Sequence, residues 1–242
     1  MSADLRLGRW EDALADVEAV DTLIVDAPYS ARTHEGHINH GTFDGANRGQ
    51  LPYRAWDAGD VRAFCAAWSK RVRGWFVTIT DDSLAPCWAA ELAANGRYTF
   101  APLPMVETGG CVRLGGDGPA SWTRWIVVAR PRTRRFAKWG ALPGAYIGAR
   151  EVKPVMGGKT LTLMRALVRD YSRPGDLVCD PCAGGATTLL AALQEGRRAV
   201  GAEMDPGHFE IAQKRLAGGF ARPLFPECAG KVMTQEGFNY EK

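Results

Sequence analysis

Short apolar runs alternate with longer amphipathic segments along most of the 242-residue chain. The apolar runs are rich in aliphatic and β-branched residues, which is typical of strands covered on both faces; they occupy residues 23–26, 75–80, 125–129, 177–180 and 199–203. Helical periodicity occupies residues 10–17, 60–72, 84–94, 160–171, 187–195 and 206–216. Strands that alternate with helices predict an α/β fold with a doubly wound, mostly parallel sheet.

Three segments do not follow this alternation. Residues 30–59 are polar and glycine-rich, residues 130–158 are basic and interrupted by glycine and proline, and the residues after 216 show no periodicity. Long loops inside a compact domain are usually functional. We therefore expect one domain over residues 1–242, with recognition loops inserted at about residues 30–59 and 107–158 and a loosely ordered tail over residues 217–242.

Composition and charge narrow the function classes. No apolar run approaches the ~20 residues of a membrane-spanning helix, so we expect no membrane association. The first twenty residues carry scattered charges instead of the apolar stretch of a secretory signal, which predicts a cytoplasmic protein. The net charge of +3 is too small for a purely electrostatic nucleic-acid binder, so any basic patch must be local.

Residues 175–215 carry the clearest candidate chemistry. A predicted strand runs into a turn of small residues that contains Gly184 and Gly185, and a predicted helix follows directly. Glycines let a ligand approach the backbone, and Glu203, at the end of the next strand, can accept both hydroxyls of a ribose. The turn lacks the G-x-G-x-x-G spacing of a dinucleotide site. It therefore indicates a nucleoside cofactor, while glycine used only for tight packing remains an alternative.

Two motifs carry a family resemblance. Residues 180–188 (DPCAGGATT), with Gly196, Glu203 and Arg215 after them, resemble the S-adenosylmethionine-binding region of amino-group DNA methyltransferases, usually D-P-F-x-G-S-G-T-T. Residues 26–29 (DAPY), at an earlier strand end, are similar to the catalytic D-P-P-Y tetrapeptide of that family. Because the catalytic motif precedes the cofactor motif, the chain resembles the circularly permuted β group of N6-adenine and N4-cytosine enzymes. The resemblance implies a Rossmann-like class I methyltransferase fold.

The resemblance also implies a cofactor and its binding residues. Residues 159–163 are similar to the Q-K-P-x-x-L segment beside the methionine moiety, and residues 5–9 to the displaced strand whose end approaches the adenine. The implied cofactor is S-adenosylmethionine and no metal is required. The implied cofactor-binding residues are Asp180, Pro181, Cys182, Ala183, Gly184, Gly185, Glu203, Lys159 and Thr160.

The catalytic assignments follow from the chemistry of an exocyclic amine, whose lone pair is delocalised into the base. The Asp26 carboxylate and, by the family pattern, the Ala27 carbonyl accept the amine hydrogens and turn the lone pair toward the sulfonium methyl. Pro28 restricts Ala27 to extended backbone angles. Tyr29 offers a ring face to a base extruded from double-stranded DNA. The motif residues depart from the family pattern at Ala27, Cys182, Ala186 and Thr160, and Arg9 stands where an acidic residue is frequent.

Substrate choice within the family stays open at this point. An aspartate at position 26 resembles the adenine-N6 subgroup, whereas serine is commoner in the cytosine-N4 subgroup. We therefore expect adenine-N6 methylation, with cytosine-N4 methylation and a non-catalytic DNA-binding relative as the alternatives.

Candidate DNA contacts come from two basic or histidine-containing segments. Phe136 and Trp139 lie among basic residues, which suits either phosphate contacts with aromatic faces near the duplex or a solvated surface. His34, with the histidines at positions 37 and 40, suits a DNA-facing loop better than a metal site. The candidate DNA-binding residues are Arg130, Arg132, Arg134, Arg135, Lys138 and His34. Cys179 and Cys182 form a C-x-x-C pair without a second pair, so we interpret both as structural thiols.

Overall fold

A nine-stranded sheet forms the centre of the protein in the computed structural model, which describes residues 2–38, 53–109, 122–133, 136 and 139–218. Its strands are β1 (Ala3–Leu7), β2 (Thr22–Asp26), β3 (Phe76–Thr80), β4 (Tyr98–Thr99), β5 (Leu103–Thr108), β6 (Thr123–Arg130), β7 (Tyr146–Ala149), β8 (Leu177–Asp180) and β9 (Arg198–Glu203). The spatial order is β1-β9-β8-β2-β3-β6-β5-β7, with β4 paired to β6. Within the described sheet only β6 runs against the common direction.

Helices cover both faces of this sheet. They are α1 (Trp10–Ala13), α2 (Ala31–Ile38), α3 (Ala58–Trp68), α4 (Ala85–Ala94), α5 (Leu161–Tyr171), α6 (Thr187–Gln194) and α7 (Pro206–Gly218). Side chains of α5, α6 and α7 share one buried cluster, and side chains of α3 and α4 share the other. The doubly wound, mostly parallel α/β fold predicted from the sequence is confirmed. No helix in the described ranges has the length and apolar character to span a membrane.

Strand β2 shows why a parallel sheet buries continuous apolar runs. Leu23 and Val25 point into the cluster shared with α3 and α4, whereas Ile24 points into the cluster shared with α5 and α6. All three side chains are fully buried. Both faces of the strand therefore need apolar residues, which is the pattern that identified it in the sequence.

The predicted loops are more regular than expected. The segment over residues 30–59 contains α2 and the start of α3, which an Asp57 capping box begins. Within residues 107–158, strands β6 and β7 belong to the main sheet instead of an inserted loop. Helix α7 continues to Gly218, so the first two residues of the predicted tail are helical; residues 219–242 lie outside the described part of the chain.

Strands β4, β5 and β7 were not predicted. Strand β5 contains Pro104, a residue depleted in strands, and β7 contains Gly148. Strand β4 is only two residues long. Strand β1 lies two residues before the position that the family resemblance implied.

Gly201 permits close packing between the strands of the central sheet. A Cβ atom at this position would lie 2.7 Å from the Asp180 carbonyl oxygen and 2.9 Å from a Leu189 methyl group. We expect Gly201→Ala to lower the free energy of unfolding by about 1–3 kcal/mol, because the backbone and core must shift to admit the methyl group. Urea denaturation measures this change. Gly144→Ala is the control, since nothing lies within 4 Å of its added methyl group; equal losses in both variants would contradict the packing argument.

Candidate active site

The two sequence motifs end neighbouring strands at the centre of the sheet. Strands β2 and β8 pair in parallel through Thr22 with Val178 and Leu23 with Cys179, so Asp26 and Asp180 follow at the same sheet edge. From this pair the chain leads outward to β3 on one side and to β9 on the other. Such a reversal of strand order opens a crevice at the carboxyl ends of the strands, where α/β proteins bind ligands.

A cavity of about 380 Å³ lies at this edge. Both motifs contribute to its walls, so the structure brings the two motif segments together at one cleft. Ala27 and Thr160 are buried beside the cavity, and Tyr29 reaches Asp26 through its hydroxyl. The predicted site residues that line the cavity are Asp26, Pro28, Lys159, Asp180, Pro181, Cys182, Ala183, Gly184, Gly185 and Glu203.

The small-residue turn after β8 is held to β9 by hydrogen bonds. The Ala183 amide donates to the Ala202 carbonyl at 2.8 Å, and the Gly184 amide donates to Glu203 Oε2 at 2.7 Å. The other Glu203 oxygen accepts the Asp205 amide at 2.7 Å. Gly184 has a positive φ of 52°, a conformation that glycine adopts without strain. Glu203 and the amino end of α6 therefore face one cavity across a fixed turn.

Ala186 occupies a backbone conformation that usually belongs to glycine. Its φ of 58° is the only positive φ of a non-glycine residue in the described part of the chain, and left-handed geometry costs an L-residue about 1–2 kcal/mol. This is the position at which the family motif has its last glycine. The Arg215 guanidinium braces the same turn by donating to the Gly185 carbonyl and, at 3.2 Å, to Thr187 Oγ1.

Buried carboxylates give the cavity its electrostatic character. Burial raises the pKa of Asp180 to about 7, although its hydrogen bonds with Thr188 and the Cys182 amide act in the opposite direction. Burial also raises the pKa of Glu203. Each shift shows that the surroundings solvate the negative charge poorly, so a bound cation would stabilise both ionised carboxylates.

Asp26 is engaged on both oxygens. The Tyr29 hydroxyl donates to Oδ1 at 3.0 Å, and the Lys159 ammonium donates to Oδ2 at 2.5 Å. Burial, and next the charge of Asp26, raise the pKa of Tyr29. Burial lowers the pKa of Lys159, against the opposing effect of Asp26. The resemblance implied a cofactor-binding role for Lys159, and the structure places its ammonium on the predicted catalytic carboxylate.

Asp81 is a site residue that the sequence motifs did not indicate. It follows β3, is buried, and accepts hydrogen bonds from the Ser30 amide at 3.0 Å, the Ser30 hydroxyl at 2.5 Å and the Thr33 hydroxyl at 2.5 Å. These bonds lower its pKa even though burial acts to raise it. Asp81 thereby fixes the chain directly after residues 26–29. The sequence feature that could have indicated this residue is an aspartate directly after a buried apolar strand.

Two of the predicted DNA-binding residues, Arg130 and Arg132, lie apart from the cavity. Because β6 is antiparallel, Ala129 pairs with Phe76 at the start of β3, so Arg130 and Arg132 occupy the sheet edge opposite Asp26. The Arg130 guanidinium stacks over the Tyr98 ring at 4.6 Å, and Arg132 donates to the Arg97 carbonyl at 3.3 Å. Arg134, Arg135 and Lys138 lie outside the described residues.

The aromatic residues of that segment pack against the core, which neither a solvated surface nor aromatic faces near a duplex had led us to expect. Phe136 and Trp139 stack at 5.4 Å and pack against the buried Trp75. Their apolar rings complete the core beneath α5, which explains their place in an otherwise basic segment.

His34 is the one predicted histidine whose side chain the structure describes. It lies on α2, where a loop was expected, with its ring 5.5 Å from the Tyr53 ring. The side chain of His37 and all of His40 lie outside the described residues. The described residues contain no group of three His, Cys, Asp or Glu side chains arranged to hold a metal ion.

A protein-family model matches the part of the chain that contains the small-residue turn after β8. Residues 157–214 match the model of the N6/N4 family described as DNA methylase. A curated relative, the type II methyltransferase M.Cfr9I of Citrobacter freundii, is 37% identical over 144 residues, which cover 54% of this chain and 48% of that protein. The chain spans less than half the length of the first curated relatives that it matches. The family resemblance predicted from the motifs is confirmed over these segments.

Solved structures share the fold over most of the chain. The M1.HpyAVI–SAM complex aligns with a TM-score of 0.66 and 18% identity, covering 88% of this chain and 99% of that one. PvuII DNA methyltransferase, which is cytosine-N4-specific, aligns with a TM-score of 0.62 and 13% identity, covering 93% and 88%. At these identities the likeness is one of fold, and it agrees with the class I methyltransferase fold that the sequence implied.

We expect Asp81→Asn to lower the free energy of unfolding at pH 7 by about 1–3 kcal/mol, because a charged acceptor of several hydrogen bonds becomes neutral. The lowered pKa means that the wild-type carboxylate stabilises the fold above its ordinary pKa of 3.8, and that this contribution is lost as the pH falls through the lower folded-state value. Urea denaturation at pH 7 and below pH 4 measures both effects.

Asp82→Asn is the matched control for this prediction. Asp82 is exposed and pairs with Arg32 at the surface, so its loss should change stability by less than about 0.5 kcal/mol. An Asp81 variant as stable as the Asp82 variant would show that Asp81 does not hold the segment after β2.

Proposed function

We propose that this chain transfers a methyl group from S-adenosylmethionine to the N6 amine of adenine in double-stranded DNA. The observation that carries the proposal is the opening of the Asp26 carboxylate and of the Gly184–Glu203 turn into one cavity. The family match over residues 157–214 supports a methylase, and the likeness to the M1.HpyAVI–SAM complex supports the cofactor.

The cavity has the donor set that this cofactor needs. Glu203 would accept ribose hydroxyls, and the turn amides with the amino end of α6 suit the polar groups of the methionine moiety. Asp180 and Glu203 are carboxylates with raised pKa values, so a positively charged ligand meets anionic groups that water solvates poorly. When bound, the cofactor supplies an activated methyl group on a positively charged sulfur.

The protein's own contribution to transfer is orientation of the target amine. The Asp26 carboxylate and the Ala27 carbonyl each accept one amine hydrogen, which turns the nitrogen lone pair out of conjugation and toward the methyl group. Pro28 restricts the backbone angles of Ala27. Tyr29 stacks on the extruded base. Electrostatic positioning of this kind needs no covalent intermediate.

Adenine is favoured over cytosine because an aspartate occupies position 26, as in the adenine-N6 subgroup that the motif resembles. The matched relatives and structural neighbours include a cytosine-N4-specific enzyme, so the alternative remains cytosine-N4 methylation on the same scaffold.

Calorimetric titration with S-adenosylmethionine, followed by mass spectrometry of digested plasmid DNA from expressing cells, tests the proposal. Cofactor binding together with N6-methyladenine supports it. N4-methylcytosine assigns the alternative substrate. Binding of DNA with neither cofactor affinity nor a modified base identifies a non-catalytic relative and overturns the proposal.

The role of Asp26 can be separated from cofactor binding. We expect Asp26→Ala to reduce kcat by ~10²-fold or more while the dissociation constant of S-adenosylmethionine changes by less than about threefold, because the carboxylate acts on the base. Single-turnover kinetics and calorimetry measure the two quantities. Asp82→Asn, an exposed carboxylate beyond the next strand, controls for loss of charge. Equal losses of rate and cofactor affinity would remove Asp26 from the proposed role.

Glu203→Ala should weaken cofactor binding by about 1.5–3 kcal/mol, the range for a hydrogen bond to a charged group. Calorimetry measures the dissociation constant, and thermal unfolding checks that the turn held by Glu203 survives. Glu210→Gln is the control, because Glu210 is exposed on α7 and pairs with Lys214 at the surface. A dissociation constant equal to that of the control would place the ribose away from Glu203.

A further inference from the structure

We propose that Lys159 is a positioning residue for methyl transfer, whose ammonium holds the Asp26 carboxylate in its acceptor orientation and in its charged form. This inference rests on the proposed function of the site. It assigns Lys159 a contact with the carboxylate that would hold the target base, whereas the sequence resemblance implied a contact with the cofactor.

The geometry of the ammonium carries the inference. Lys159 Nζ lies 2.5 Å from Asp26 Oδ2 and 3.0 Å from the Gly157 carbonyl oxygen, and 5.2 Å from the centre of the Tyr29 ring. The Lys159 side chain is 7% exposed and that of Asp26 24%. A short contact between a buried cation and a less buried carboxylate fixes the plane of the carboxylate and leaves part of it accessible from the cavity.

The backbone that carries Lys159 is itself anchored. Glu151 accepts the Leu161 amide at 2.8 Å and the Thr162 amide at 3.3 Å, so its carboxylate caps the first turn of α5. Lys153 pairs with Glu107 of β5 at 2.6 Å. The ammonium therefore extends from a segment held at both ends, and its position relative to Asp26 does not depend on the side chain alone.

Charge explains why the carboxylate needs this partner. Asp180 and Glu203 line the same cavity, so the Lys159 ammonium lies among several carboxyl groups and donates to that of Asp26. A protonated Asp26 would lose half of its capacity to accept from an amine. The neighbouring ammonium opposes that outcome because it stabilises the ionised form. The titratable groups around this pair are Tyr29, Tyr53, Arg124, Lys153, Asp180, Cys182 and Glu203.

Two other roles predict different behaviour. If Lys159 serves the cofactor, its replacement weakens S-adenosylmethionine binding and leaves the titration of Asp26 unchanged. If it is only a structural bridge, replacement lowers the melting temperature without a change in the pH dependence of turnover.

Three variants test the proposal. Lys159→Gln removes the charge, Lys159→Arg retains it, and Lys214→Gln is the control, since it removes an exposed cation on α7 that pairs with Glu210. The measurements are the ¹³C-carboxyl NMR titration of Asp26 in the ligand-free protein, the pH profile of kcat on methylatable DNA, the dissociation constant of S-adenosylmethionine and the melting temperature.

In Lys159→Gln we expect the Asp26 titration midpoint and the acidic limb of kcat to move up by about one to three pH units, the usual effect of losing an adjacent opposite charge. Turnover should recover as the pH rises, Lys159→Arg should restore the acidic limb, and Lys214→Gln should leave the midpoint and the limb within about half a pH unit of wild type. An unchanged midpoint in folded Lys159→Gln protein overturns the inference.

The NMR titration keeps this test separate from the proposed function. If the wild-type protein methylates DNA and the midpoint does not move, only the role of Lys159 fails. If the midpoint moves as expected but no DNA is methylated by the wild type, the ion pair controls Asp26 as inferred and the proposed methyl transfer fails. If Lys159→Gln does not fold, the kcat pH profile of Lys159→Arg tests the inference instead. An acidic limb shifted up by one pH unit or more from wild type would show that a positive charge at this position does not keep Asp26 active, and would overturn the inference.

Discussion

Parallel pairing of β2 with β8 is the constraint on which the site depends. The two strands are joined by only a short ladder, Thr22 to Val178 and Leu23 to Cys179, yet this ladder brings together segments far apart in sequence. Because the strands are parallel, both motifs leave the sheet at one edge. The helices that follow belong to opposite faces, so the space between the two strand ends stays open for ligands.

Burial of charge is the second organising feature, and it is concentrated at this edge. Asp180, Glu203, Asp81 and Lys159 are all buried, although isolated charges are costly away from water. Asp81 is compensated by hydrogen bonds, which lower its pKa, whereas burial dominates at Asp180 and raises its pKa to about 7. Asp81 holds the backbone at Ser30, whereas Asp180 and Glu203 both accept backbone amides and also line the cavity, where burial raises their pKa values. Perturbed groups of this second kind are typical of functional sites.

The sequence predicted the central strands because each is encoded locally by an apolar run, which in β2, β8 and β9 ends in an acidic residue. It did not predict β5 and β7, whose Pro104 and Gly148 weaken the strand pattern. Arg130 lies at the edge opposite Asp26 because β6 is antiparallel to β3. The residues of β6 do not themselves indicate the direction of the strand. Asp81 and Lys159 act through contacts with residues distant in sequence, which no local pattern records.

Alanine at position 186 bears on how the pocket meets its ligand. A glycine there would reach many backbone shapes in the free protein, whereas alanine reaches few and is held in a left-handed one by its surroundings. Fewer backbone conformations are therefore open to residue 186 than glycine would allow, which lowers the ordering entropy that would be lost there on association.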